Sequence, residues 1–235
     1  MAGFETARSG RKLALAALFA CLTAIPALAQ GQAQPPTPIH NPFAALLGST
    51  GNTAVLDDKQ RALIGKVNTY LSTVQVLSGD FVQVGPDGSR SNGEFFIQKP
   101  GKVRFEYDPP SQIAIVADGQ SVIVRDQRLA TQDVYPLSQT PLRFLLADHV
   151  DLLKDTNLVA VYADDTFVTV VVEEKNPIVG TSRLMIMFSA KDMQLKQWTV
   201  TDPQGYDTTV AVYNLDTSKK PDPDMFRIDY TNYHN

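Results

Sequence analysis

The chain has 235 residues, 43% of them apolar, with 21 Lys and Arg against 25 Asp and Glu and a single cysteine. That composition excludes a disulfide scaffold and a low-complexity polymer, and its mild acidity gives no support to nucleic-acid binding, which usually shows as a basic patch. Beyond the N-terminal leader, no apolar run approaches the roughly 20 residues that a membrane-spanning helix needs.

The first segment, 1–29, reads as a cleavable secretory signal. Arg8, Arg11 and Lys12 form a basic start, Leu13 to Ile25 an apolar stretch, and Ala27-Leu28-Ala29 a small-x-small cleavage site. Cleavage there starts the mature chain at Gln30 and directs it to the periplasm. The competing reading, lipidation at Cys21, is opposed by the bulky Phe19 and by the apolar residues that continue after Cys21. Removing the leader leaves 18 basic against 24 acidic residues, a net charge of −6, and no cysteine. Stability then rests on the core rather than on covalent staples. Residues 30–54 carry Gln34-Pro35-Pro36-Thr37-Pro38 and Gly48-Ser49-Thr50-Gly51-Asn52 and read as a flexible linker. Residues 55–235 form a single domain.

From Leu56 to Leu77 apolar residues recur at helical spacing (Leu63, Val67, Tyr70, Leu71, Val74, Leu77), with Asp57 and Asp58 at the positive end of the helix dipole and Ser78-Gly79 as the stop. Strands are predicted next at 81–84, 94–98, 102–107, 112–117, 121–125 and 130–135. Tight turns separate them, among them Gly85-Pro86-Asp87-Gly88, Lys99-Pro100-Gly101 and Asp118-Gly119. Short connections of this kind make antiparallel neighbours. Thr140 as N-cap and Pro141 at the first helical position predict a short helix within 140–148, and a second is expected over 150–154. Five more strands follow at 159–162, 166–173, 183–189, 195–201 and 208–214. The fold class is mainly β, about eleven strands with a helix before them and helices between the sixth and seventh.

Catalytic chemistry finds little purchase. His40, His149 and His234 lack the close spacing of a helical metal site, and no Gly-x-Ser-x-Gly elbow or phosphate-binding loop is present. No enzyme activity, metal or cofactor is expected, although a triad drawn from distant positions around His149 stays open as a rival. Several strands are instead apolar on both faces: Leu184, Ile186 and Phe188 alternate with Met185 and Met187, and Val170, Val171 and Val172 run together. A sandwich core, a half-barrel with helices on its concave face, or an incompletely filled cavity would each account for this.

The block Gly93 to Pro110 gives two strands around the Lys99-Pro100-Gly101 turn, stopped by a double proline. Val103, Phe105 and Tyr107 face one side, and Lys102, Arg104 and Glu106 the other. With Ile113 to Gly119 after it, this order of elements resembles the periplasmic outer-membrane lipoprotein carrier family, LolA, from about Leu56 to the C-terminus. The resemblance implies an incomplete antiparallel β-barrel with helices lying over its concave face as a lid. It implies a monomeric chaperone that holds lipoprotein acyl chains in a hydrophobic cavity. Outer-membrane-directed lipoproteins would be taken from an inner-membrane ABC transporter and passed to an outer-membrane acceptor.

The cavity lining implied is Phe95, Ile97, Val103, Phe105, Tyr107, Ile113 and Ile115, and the lid Leu142, Phe144, Leu145 and Leu146. Where the family commonly has an arginine that bonds lid backbone, this chain has Lys99, a latch candidate without the planar fork. Arg90, Lys99, Lys102 and Arg104 form a candidate docking rim. An outer-membrane acceptor (LolB-like) and a lipid- or lipoprotein-sensing regulatory module share the fold and remain rival readings.

Overall fold

The computed structural model describes residues 56–176 and 180–230. The leader with Cys21, the linker at 30–54, His40 and His234 lie outside them. Eleven strands form one antiparallel sheet: β1 (Val76–Val84), β2 (Arg90–Gln98), β3 (Lys102–Tyr107), β4 (Ile113–Asp118), β5 (Ser121–Asp126), β6 (Thr131–Pro136), β7 (Asn157–Ala163), β8 (Phe167–Asn176), β9 (Gly180–Ser189), β10 (Leu195–Thr201) and β11 (Asp207–Asp216). Their order across the sheet is β6-β5-β4-β3-β2-β1-β11-β10-β9-β8-β7. Two meanders are therefore joined side by side through β1 and β11, and among the described residues β6 and β7 are the edges. The sheet curls without closing, as the incomplete-barrel reading expected.

Among the described residues, three helices and two 3-10 turns accompany it. α1 (Asp58–Thr73) precedes β1, and the 3-10 turn Leu137–Gln139, α2 (Leu142–Leu146) and α3 (Leu152–Asp155) carry the chain from one open edge to the other. α1 starts with a reciprocal capping box, in which Asp57 accepts from the Gln60 N–H while the Gln60 side chain accepts from the Asp57 N–H. Its buried stripe is Ile64, Val67 and Leu71.

The helix stops at Thr73, earlier than its periodicity suggested. Leu77, counted in the helical stripe, belongs to β1 and pairs with Ile97. An apolar residue at that spacing suits either period, and pairing with β2 decides it. Thr140 does not cap α2. Its hydroxyl donates instead to Leu137 O at 2.9 Å, a carbonyl that also accepts from the Thr140 N–H as the 3-10 turn closes. α3 begins later than expected: the N–H groups of Val150 and Leu152 are taken by Ser72 Oγ and Asn68 Oδ1 of α1, and Asp151 caps by accepting from the Leu153 N–H.

The core is one continuous cluster on the concave side, built from strand residues such as Phe81, Phe95, Phe105, Ile186, Phe188, Trp198 and Val210, together with Ile64, Val67 and Leu71 of α1, the apolar residues of α2 and Leu152 of α3. The convex side of β3 and β4 has a separate cover. The 3-10 turn Pro223–Phe226 lies over it with Phe226 buried, and Arg104 Nη1 donates to Met225 O at 3.0 Å. The Tyr230 hydroxyl donates to Asp118 Oδ2 at 2.9 Å, fastening the segment further along.

Candidate functional site

A glycine sets the floor of the concavity. Gly93 on β2 lies in register between Phe81 on β1 and Tyr107 on β3. A Cβ there would meet Glu106 O at 2.0 Å and the Phe81 ring at 2.9 Å. Without one, the Phe81 ring stands edge-on to Phe105 at 5.3 Å and to Tyr107 at 5.0 Å. Phe105 in turn stacks with Phe95 at 6.0 Å and meets Trp198, on β10 of the other meander, at 6.2 Å. Offset and edge-on aromatic pairs of this kind add to the burial of their area.

Of the seven residues expected on this face, Phe95, Ile97, Val103, Phe105 and Ile115 are buried. Tyr107 and Ile113 are half-buried against the same cluster. The Tyr107 hydroxyl donates to Gln83 Oε1 at 2.7 Å, and burial pushes its pKa up. Phe81 and Trp198, central to the cluster, were not singled out from the sequence. For Trp198 there was a reason: a bulge between Leu195 and Gln197 puts Leu195 and Trp198 on one face although they are three residues apart, which simple alternation forbids.

Leu142, Phe144, Leu145 and Leu146 are all buried and join the concave cluster from the helical side. α2 is held at both ends. The Leu146 carbonyl accepts from the Gly101 N–H at 2.8 Å, in the β2–β3 turn, where Gly101 adopts φ +76° and a Cβ would strike Gly119 Cα. Arg143 reaches β8 on the far side, pairing with Glu174 at 2.6 Å while its guanidinium lies 4.1 Å over the Phe144 ring. α1 covers the second meander. Tyr70 meets Phe188 edge-on at 5.8 Å and accepts from the Leu195 N–H at 3.2 Å, and its pKa is raised chiefly by burial.

Lys99 does not fasten α2. Its Nζ donates to Leu71 O in the last turn of α1, and its own N–H donates to Gln75 O just beyond that helix. The Leu71 carbonyl is one that a helix end leaves without an intrahelical partner, so a cation is well placed there. Burial lowers the ammonium pKa to about 8, against a smaller opposing pull from Asp148. With Lys99 on α1, and Arg104 on Glu106 and Met225 O, two of the four residues of the expected basic rim are already engaged.

An open groove of about 640 Å³ runs between α1 and α3, lined among others by Asn68, Ser72, His149, Asp151 and Lys154. Although His149, Ser72 and Asp151 share it, no hydrogen bond joins them. Ser72 Oγ accepts from the Val150 N–H, and Asp151 pairs with Lys154 at 2.7 Å. Among the described residues no group of three or more His, Cys, Asp or Glu is arranged to hold a metal ion, and no helix is long and apolar enough to cross a membrane.

The profile of the family described as outer membrane lipoprotein carrier protein LolA matches residues 72–229. That span runs from the end of α1 through all eleven strands to the convex-face segment. The chain belongs to the LolA family. Among LolA relatives, the outer-membrane lipoprotein carrier protein of Nitrosospira multiformis is 24% identical over 173 residues, covering 70% of this chain and 83% of its own. That of Chromohalobacter salexigens is 24% identical over 193 residues, covering 78% and 90%. A solved LolA superfamily structure from Nitrosomonas europaea, 11% identical, covers 73% of this chain and 98% of its own with a TM-score of 0.42.

Proposed function

We propose that this LolA-family chain is a periplasmic carrier that shields the acyl chains of lipoproteins on their way to the outer membrane. The observation that carries the reading is the construction of the concave face. It is an aromatic and aliphatic floor covered by short helices, where a sandwich would place a second sheet. Each methylene leaving water gains about 0.8 kcal/mol, so a rigid dry pocket for several acyl chains would hold its cargo too tightly to release it. A cover that must first leave its own apolar contacts offsets part of that gain and makes handover feasible.

In this reading the seven predicted floor residues, with Phe81 and Trp198, form the lining, and Leu142, Phe144, Leu145 and Leu146 the removable cover. Residues 1–29 are the exported leader, 30–54 a linker, and the domain from residue 55 works as a monomer without a cofactor and breaks no bond. Its partners are an inner-membrane ABC transporter that loads it and an outer-membrane acceptor that unloads it.

The test is release from spheroplasts by purified residues 30–235. ATP-dependent appearance of lipoprotein in the soluble fraction, in a one-to-one complex, is the expected result. Folded protein that releases nothing would overturn the carrier role and favour a lipid-sensing module of the same fold. Lipidation at Cys21, read by mass spectrometry of the native N-terminus, would favour an acceptor.

A further inference from the structure

Trp198 is the only tryptophan in the chain, and it lies 1% exposed in the concave cluster. Its lateral neighbours in the sheet are Ile186 on β9 and Val210 on β11, and the Phe105 ring stands across the concavity. None of these side chains can accept a hydrogen bond. The buried indole Nε1–H accordingly has no hydrogen-bond partner among the described residues. Indole is a donor only, and a donor withdrawn from water without an acceptor costs free energy that a phenylalanine at the same place would not incur.

We infer that the Trp198 N–H is a subsite for the ester carbonyl at the head of a bound acyl chain. The inference rests on the carrier reading and deepens it. An acyl chain is apolar along its length and carries one strong acceptor, the carbonyl at its attachment point, so the ligand brings what the floor lacks. Two other polar groups near the concave side are already committed: the Tyr107 hydroxyl donates to Gln83, and Glu174 is paired with Arg143. Bonding at Trp198 therefore fixes how deep a chain enters and distinguishes an ester from an ether or a plain hydrocarbon. Diacylglyceryl lipopeptides and membrane phospholipids both offer such esters.

The test measures binding of four fluorescently labelled probes to residues 30–235 by polarisation. They are a diacylglyceryl lipopeptide, its dialkyl ether counterpart, and the matching ester and ether phospholipids. Wild type should bind the ester lipopeptide about two- to tenfold tighter than the ether, the range one net hydrogen bond supplies. Trp198→Phe, with a melting curve confirming its fold, should bind both alike. Emission from Trp198 itself should shift more with the ester than with the ether.

A preference shared by the phospholipid pair supports the subsite and assigns it to acyl esters in general, whereas one confined to lipopeptides supports it and assigns it to lipoproteins. Equal binding of ester and ether by wild type, or a preference that survives in Trp198→Phe, overturns the subsite alone. Binding of no probe overturns the carrier reading and the subsite together.

Discussion

At Lys99 a flexible ammonium stands where the family resemblance implied an arginine fork, and it ties the β2–β3 turn to α1 rather than to α2. Its pKa in the folded chain, about 8, lies below the ordinary 10.5 of a lysine. Between those values the unfolded chain binds more protons, so the Lys99 contribution to stability is unfavourable near neutral pH and rises as pH rises through that window. The gap in urea midpoint between wild type and Lys99→Met should therefore move in favour of wild type from pH 7.5 to 9.5. A gap that ignores pH would mean the ammonium is not desolvated.

Gly93→Ala drives a methyl into the Glu106 carbonyl and the Phe81 ring, and should cost about 3 kcal/mol in denaturant titrations, at the upper end for overpacking. Which face most residues occupy was legible from strand alternation, as for Val103, Phe105 and Tyr107. The partner of Lys99 and the placement of Trp198 were not, since one depends on a contact 28 positions away and the other on a bulge.

At the scale of elements, α2 draws little stability from its own sequence. Five residues make barely more than one turn and gain little from helix formation alone. Its position is set by the Gly101 N–H at one end and the Arg143–Glu174 pair at the other. Removing the pair with Arg143→Ala should weaken the closed cover by about 0.5–1 kcal/mol, the upper range for a half-exposed ion pair. Lipopeptide affinity should then rise about two- to fivefold while handover slows. Unchanged affinity would show that α2 does not oppose loading.

The convex-face segment behaves differently, because Phe226 is fully buried there. Phe226→Ala should lower unfolding stability by about 3–5 kcal/mol with no selective effect on cargo. Strand number and order of appearance were legible because turn residues mark each boundary. The end of α1 and the start of α3 were not, being decided by pairing with β2 and by side chains of α1.

For the molecule as a whole, the meander pattern pointed to an antiparallel sheet, and its incomplete closure was implied by the family resemblance alone. What pairwise turn chemistry does not encode is the long-range joining of β1 to β11, which turns two meanders into one curved floor. The same joining brings Phe105 and Trp198 together edge-on from opposite halves. Sheet, floor and helices form one apolar cluster, so in the proposed carrier role cargo and cover would compete for the same surface.

That competition can be tested by locking the cover. Ser72 Oγ accepts from the Val150 N–H at 3.2 Å, so Ser72→Cys and Val150→Cys would place two thiols where the end of α1 meets the α2–α3 connection, to be joined as a disulfide. A chain starting at Gln30 has no other cysteine. Lipopeptide uptake by this double variant would be measured oxidised and then reduced. The account predicts that uptake is lost when the bond is closed and recovered with reductant. Equal uptake in both states would contradict it, because the acyl chains would then be entering without displacing the helices that cover the floor.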